Sequence, residues 1–270
     1  MRKKLKPIVV IGFFLTFFAI IFISGVYGNR ATAGKETTIT QSNTNPTSIE
    51  TIPSSSYYIT NALEMKPIID VSAWQRPSEI DYNTLSKNIS GAIVRIQSGS
   101  HTKNENTATD KNGLDKAFDT HIKEFQARNI PVAVYAYVTG NSIDSMKEEA
   151  RSFYEAANKY NPTFYWLDVE EHTMDDMNGG VEAFRQELES LGAKNIGIYV
   201  GTYFMEDHSI NVDKFDAVWI PTYGVDSGYY NAAPSTDLDY DLHQYTSRGY
   251  VNGFENYLDL NIITTLKDPN

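Results

Sequence analysis

Phe164-Tyr165-Trp166-Leu167-Asp168-Val169-Glu170-Glu171 opens as an aromatic, apolar run and closes in carboxylates. The run suits a buried strand. Side chains two residues apart on a strand share a face, so Asp168 and Glu170 point one way and Val169 the other. Two acids leaving a buried strand end together are costly to place unless solvent, hydrogen bonds or a substrate engages them. Taken alone, the pattern also fits a strand running out into a solvated acidic loop, and the flanking sequence has to decide.

Outward from this strand, from Lys66 onward, short apolar strands alternate with helical spacings. Residues 67–72, 91–97, 130–138 and 195–200 read as strands. Residues 80–87 form a brief helical stretch. Leu114, Ala117, Phe118, His121, Ile122 and Phe125 repeat at helical spacing, Ser142 opens a helix carrying Ala150, Phe153, Tyr154 and Ala157, and Val181, Phe184, Leu188 and Leu191 form another that Gly192 stops. Near-continuous apolar strands between helices indicate a parallel sheet covered by helices, either an open doubly wound sheet or a barrel. In the last third, 217–220, 241–245 and 257–260 read as strands joined by Gly-, Asp-, Asn- and Tyr-rich loops without helical period. Eight strands with helices after only the first five fit an irregular α/β barrel of the TIM type, at the short end of that class. No phosphate-binding glycine motif follows any strand, which counts against a nucleotide-binding open sheet.

Active sites of such barrels lie at the C-terminal strand ends. Asp70 ends the first strand, Asp168 and Glu170 the fourth, and Asp259 falls near the end of the last, so four carboxylates are expected on one rim. Their mutual repulsion separates the pKa values and leaves one acid protonated beside ionised neighbours, as acid-assisted glycosyl transfer requires.

At these residues the chain resembles the lysozymes of glycoside hydrolase family 25, the N-acetylmuramidases of bacteria and phages. The matching stretches are Ile69-Asp70-Val71-Ser72-Ala73-Trp74-Gln75, Val94-Arg95-Ile96, Pro131-Val132-Ala133-Val134-Tyr135-Ala136-Tyr137, Trp166-Leu167-Asp168-Val169-Glu170, Val218-Trp219-Ile220-Pro221-Thr222-Tyr223, Gln244-Tyr245-Thr246-Ser247 and Leu258-Asp259-Leu260-Asn261. They occur in family order over about residues 66–265. The resemblance implies a barrel of five β/α units plus three strands, and hydrolysis of the β-1,4 bond between N-acetylmuramic acid and N-acetylglucosamine in peptidoglycan. It implies Glu170 as general acid, Asp168 as its charged partner, and Asp70 and Asp259 as the other site acids. Tyr135, Tyr137, Trp219, Tyr223, Gln244 and Arg95 are the candidate substrate-binding residues, aromatic faces being suited to the apolar faces of sugar rings. Trp166 is expected in the core, and Trp219 and Tyr223 in the cleft.

One departure from the family pattern stands out, His243 where members often carry Trp before Gln-Tyr; it bears on the shape of one subsite wall. His101, His121, His172 and His208 lack ligand spacing, so they are expected on solvated or helix surfaces and no metal or cofactor is expected. A chitinase-like barrel would need Asp at Thr163 and Trp166. A catalytically inactive glycan-binding module on the same barrel is the reading from another class.

The flanks suggest export. Arg2, Lys3, Lys4 and Lys6 precede an uncharged apolar run from Ile8 to about Tyr27, close to the roughly 20 residues a helix needs to span a bilayer. Basic residues before it and none just after place the N-terminus inside and the rest outside. Residues 1–28 are therefore expected to be an anchor, or a long signal cut near Val26-Tyr27-Gly28 or Ala31-Thr32-Ala33. Residues 29–65, rich in Thr, Ser, Asn and Pro, read as a disordered linker with roughly 30–35 Å of reach. Residues 66–266 form the expected catalytic domain and 267–270 a tail. No cysteine is present, so disulfides and thiolate metal sites are excluded. Beyond residue 28 the chain carries 19 bases against 34 acids, a formal −15. That argues against nucleic acid or anionic lipid as the main partner; peptidoglycan glycan strands, met by a monomeric catalytic domain, are the expected partner.

Overall fold

The computed structural model describes residues 66–99 and 105–264. The basic segment and apolar run expected at 1–28, the linker at 29–65, the tail at 267–270 and His101 lie outside the described residues. No helix among the described residues is long and apolar enough to cross a membrane.

Eight strands close into a barrel in sequence order. They are β1 (Ile68–Val71), β2 (Gly91–Gln97), β3 (Val132–Tyr137), β4 (Tyr165–Val169), β5 (Ile196–Val200), β6 (Ala217–Pro221), β7 (Leu242–Gly249) and β8 (Leu258–Ile263). Neighbours from β1 to β7 pair in parallel. β8 runs antiparallel to both β7 and β1 and so closes the ring in the reverse direction. The helices α1 (Tyr82–Leu85), α2 (Phe118–Gln126), α3 (Ile143–Ala157), α4 (Met177–Leu191) and α5 (Thr202–Asp207) follow the first five strands, and no helix separates β6, β7 and β8.

The strands are buried on both faces, which is why they read as continuous apolar runs. Outward residues such as Val94, Val134, Leu167, Val169, Ile198 and Val200 pack beneath Phe125, Phe153, Phe184 and Leu188 of the helices. Inward residues Ile93, Ala133, Trp166, Tyr199, Trp219 and Leu242 fill the barrel. Trp166 reaches across β5 only because its strand partner is Gly197: a Cβ there would lie 2.3 Å from the indole.

Local signals set the long helices. Ser142 and Ser145 form a reciprocal cap at the start of α3, Asp176 accepts from the Gly179 N–H at the start of α4, and Gly192 ends α4 at φ +94°. The helix expected over 80–87 is a single turn capped by Asp81. The helical spacing from Leu114 takes hold only at Phe118, because Asp115 is drawn inward by hydrogen bonds from Ala73 N (2.8 Å), Ala117 N (2.8 Å) and Arg95 Nε (3.0 Å). α5, with six residues, is too short to leave a periodic trace and was not located from sequence.

Candidate active site

The inward face of β4 carries Trp166 and then Asp168, and the same alternation puts Glu170 just past the strand end. Asp70 closes β1 one residue from its end and lies directly opposite Asp259 in the antiparallel β1–β8 register. Asp259 therefore does not end the last strand, as expected from sequence. It stands at the start of β8, and the reversed direction of β8 brings that start to the rim where β1 and β4 finish.

All four acids line one pocket of about 190 Å³, together with Tyr135, Tyr199, Trp219, Tyr223 and Gln244. Its floor is aromatic. Trp219 lies edge-on to Trp166 (5.5 Å between centroids) and to Tyr199 (4.6 Å), and is 2% exposed. It is thus both a core residue and a pocket wall, while Trp166 belongs to the barrel core beneath. Trp219 Nε1 is buried without a hydrogen-bond partner.

Asp70 is held by a polar chain. Its Oδ2 accepts from Gln244 Nε2 (2.9 Å) and Asn261 Nδ2 (2.8 Å), and Gln244 Oε1 in turn accepts from the hydroxyls of Tyr199 (2.9 Å) and Tyr223 (2.6 Å). The two amides stabilise the carboxylate, yet burial outweighs them and lifts the Asp70 pKa to about 6. Asp259 is pushed to about 8, by burial and then by the charges of Asp70, Asp226 and Glu170. Asp168 is raised well above its ordinary value, by burial and then by Glu170 and Asp70, with Arg95 opposing. Its Oδ1 is buried with no hydrogen-bond partner. Glu170 meets solvent at the mouth, but the walls that shield its inner side, and then Asp70 and Glu171, raise it too. The cluster thus retains protons where isolated carboxylates would have lost them. Asp168, the acid expected to be charged, is buried, whereas Glu170 is exposed.

Two candidate binding residues fall outside the pocket lining. Arg95 points inward beneath Asp168 but spends its guanidinium on Asp115, with contacts of 2.9 and 3.0 Å; it reaches the site through its charge. Tyr137 follows Tyr135 on the inward face of β3, in register with Asp168, but ends at the rim, where it donates to Glu171 at 3.3 Å. His243 faces the outside of the barrel, not the cleft: its Nε2 contacts the Thr222 carbonyl (2.9 Å), and Tyr230, Tyr240 and Tyr245 surround it. The exchange at this position therefore leaves the pocket wall untouched and fixes the segment that leads to Tyr223. His121, expected at a surface, is fully buried between the Ser72 carbonyl and the Tyr82 hydroxyl. Among the described residues no three Asp, Glu, His or Cys are grouped to hold a metal ion.

Tyr199 and Asn261 complete the site without having been singled out. Both had a signal: a tyrosine in phase with the inward face of β5, and an asparagine two residues past Asp259 on one strand face.

Comparison with known proteins follows the same lines. Among curated proteins none matches. A glycosyl hydrolase 25 of Streptococcus pneumoniae, described as a virulence factor participating in host cell invasion, is 59% identical over 77% of this chain and 91% of its own, with a TM-score of 0.73. The catalytic domain of an endolysin from bacteriophage P40 of Listeria monocytogenes is 25% identical over 74% of this chain and 94% of its own (TM-score 0.65). A bacterial lysozyme from Streptomyces coelicolor, 19% identical over 75% and 93%, shares the fold at a TM-score of 0.59. The model of the glycosyl hydrolases family 25 matches residues 69–254, which includes Asp70, Asp168 and Glu170 and stops short of Asp259. With an acid-lined barrel mouth, that family match over most of the chain and a 59% identical relative within it, the protein is a glycoside hydrolase and belongs to glycosyl hydrolase family 25.

Proposed function

We propose that the protein is a muramidase that cuts the β-1,4 bond between N-acetylmuramic acid and N-acetylglucosamine in peptidoglycan, with Glu170 as general acid and Asp168 as its charged partner. The observation that carries this reading is the meeting of Asp70, Asp168, Glu170 and Asp259 in one aromatic-floored pocket.

Geometry favours Glu170 as the donor. It is the one acid of the four at the open mouth, where a glycosidic oxygen arrives, and it makes no hydrogen bond to another described residue that would have to break first. Asp168 sits one layer deeper, where the charge of Arg95 acts on it. Asp168 in its ionised form, which Arg95 favours, is placed to meet the positive charge that develops on the sugar once Glu170 gives up its proton. The charge of Asp70, fixed by two amides, helps hold the proton on the donor.

Digestion of purified peptidoglycan followed by analysis of the released reducing ends tests this assignment. New muramic-acid termini are expected with the native protein and none with Glu170→Gln; termini on N-acetylglucosamine would overturn the bond assignment, and binding without cleavage by the native protein would return it to an inactive module.

We also propose that residues 1–28 anchor the enzyme in the cell membrane with the catalytic domain outside. The basic cluster ahead of an uncharged apolar run supports it. Mass mapping of the mature N-terminus checks it: a chain beginning at or after Asn29 and free in the medium would sink the anchor.

A further inference from the structure

Two loops leave the rim beside Asp70 and Asp259, one from β1 to α1 and one from β7 to β8, and they are tied together. Asp81 N–H donates to the Gly253 carbonyl (2.8 Å), and Ile80 bridges Phe254. The approach is close enough to require glycine: Gly253 has φ +108°, and a Cβ there would lie 2.4 Å from Leu85 N. On these two joined loops three aromatic side chains face solvent. Trp74 is 61% exposed, Tyr250 66% and Tyr257 49%, and the two tyrosine rings lie 4.8 Å apart at 55°.

Single exposed aromatics are ordinary. These are distinguished by how firmly they are presented. The turn that carries Trp74 is closed by Gln75 N–H to the Ser72 carbonyl (3.0 Å) and by Ser72 N–H to Gln75 Oε1 (2.9 Å). It is pinned from below by Ala73 N–H to the buried Asp115 (2.8 Å) and by His121 Nε2 on the Ser72 carbonyl (3.1 Å). The neighbouring Tyr82 hydroxyl meets the other His121 nitrogen at 2.7 Å, so this nitrogen accepts and Nε2 donates. A large flat ring held in water on a preorganised turn loses little entropy when it meets a flat apolar partner. In an eight-strand ring β8 lies opposite β4, so a chain whose scissile bond reaches Glu170 can continue across the mouth toward this wall.

We infer that Trp74 and the Tyr250–Tyr257 pair form a sugar-binding platform outside the acid pocket, on the β8–β1 side of the mouth, which holds additional units of a long glycan strand. It rests on the proposed glycan hydrolysis and adds to it a preference for long strands over short fragments.

The test uses Glu170→Gln protein, so that binding is read without turnover, with two probes: long uncrosslinked glycan strands from purified peptidoglycan, and the single disaccharide unit. Adding Trp74→Ala should weaken binding of the long strand by about tenfold, the scale of one lost aromatic contact, and of the disaccharide by less than about twofold. Tyr250→Ala with Tyr257→Ala should act in the same direction. Trp74→Tyr keeps a flat ring and should restore most of the affinity, which separates a lost platform from a disturbed fold. Equal weakening for both probes, no weakening, or equal affinity of the parent protein for both probes would overturn the platform. Reducing-end analysis reports separately on the bond: strands held through Trp74 but not cut at muramic acid would leave the platform standing and remove the muramidase assignment.

Discussion

The two ends of the barrel hold carboxylates for opposite purposes. At the end where the parallel strands begin, Asp216 accepts from Ile196 N–H (2.8 Å) and Asp241 from Val218 N–H (3.0 Å), so these acids secure the starts of β5 and β6. They rim an apolar pocket of about 610 Å³ lined by Ile68, Ile93, Phe164, Trp166 and Leu242. At the other end the pocket is about 190 Å³ and its acids face one another. The larger apolar cavity is the usual first guess for a binding site, whereas the proposed function uses the smaller pocket. What marks the end proposed for catalysis is a set of carboxyls placed where burial opposes their ionisation: Asp70 lifted to about 6 and Asp259 to about 8.

Removing the donor should divide the two ends most sharply. Glu170→Gln is expected to lower the rate by about 10²- to 10⁴-fold, the usual share of a general acid, while the unfolding midpoint barely moves. Asp168→Asn should be severely impaired as well. A Glu170→Gln enzyme retaining most of its rate would place the donor elsewhere on the rim. The complementary change is Leu242→Ala, 5% exposed inside the barrel at the apolar end. It should cost about 2–5 kcal/mol of stability by leaving a cavity, measured by denaturant titration, with the rate per folded molecule retained. A lost rate in fully folded Leu242→Ala protein would mean that the apolar end takes part in catalysis and would break the contrast.

Much of this was legible because it is local. The period of two along β4 puts Asp168 and Glu170 on one face whatever surrounds them, and the capping signals around α3 and α4 act within one turn. What was missed depends on partners distant in sequence. The direction of β8 follows from how the β7–β8 loop returns, so Asp259 reaches the rim from the beginning of its strand, not from its end. Arg95 has the composition of a ligand-binding residue, but Asp115, twenty positions later, captures it. His243 alternates with Leu242 and Gln244, and only the closed barrel shows that its side of β7 faces outward. Tyr199 and Asn261 acquire a role only through Gln244 and Asp70, contributed by other strands.

The acid opposite Asp70 gives the smallest and most specific test, because it acts on stability and on pH together. A carboxyl whose folded pKa lies above its unfolded value binds a proton more tightly in the native state, so folding is unopposed below about pH 4 and loses free energy as pH rises toward the folded pKa. For Asp70 that loss is complete a little above pH 6; for Asp259 it continues to about pH 8. Native protein should therefore lose stability between pH 4 and 8, with Asp259 contributing on the order of a few kcal/mol by the upper end. Asp259→Asn removes the ionisation and should flatten the slope between pH 6 and 8. It should not abolish it, since Asp168 is raised as well. Its activity should fall less than that of Glu170→Gln, because Asp259 lies across the mouth from the donor. Denaturation midpoints at half-unit pH steps decide the matter: parallel curves for native and Asp259→Asn protein above pH 6 would show that Asp259 is ionised at no cost, and that the rim at β8 is as well solvated as an ordinary surface.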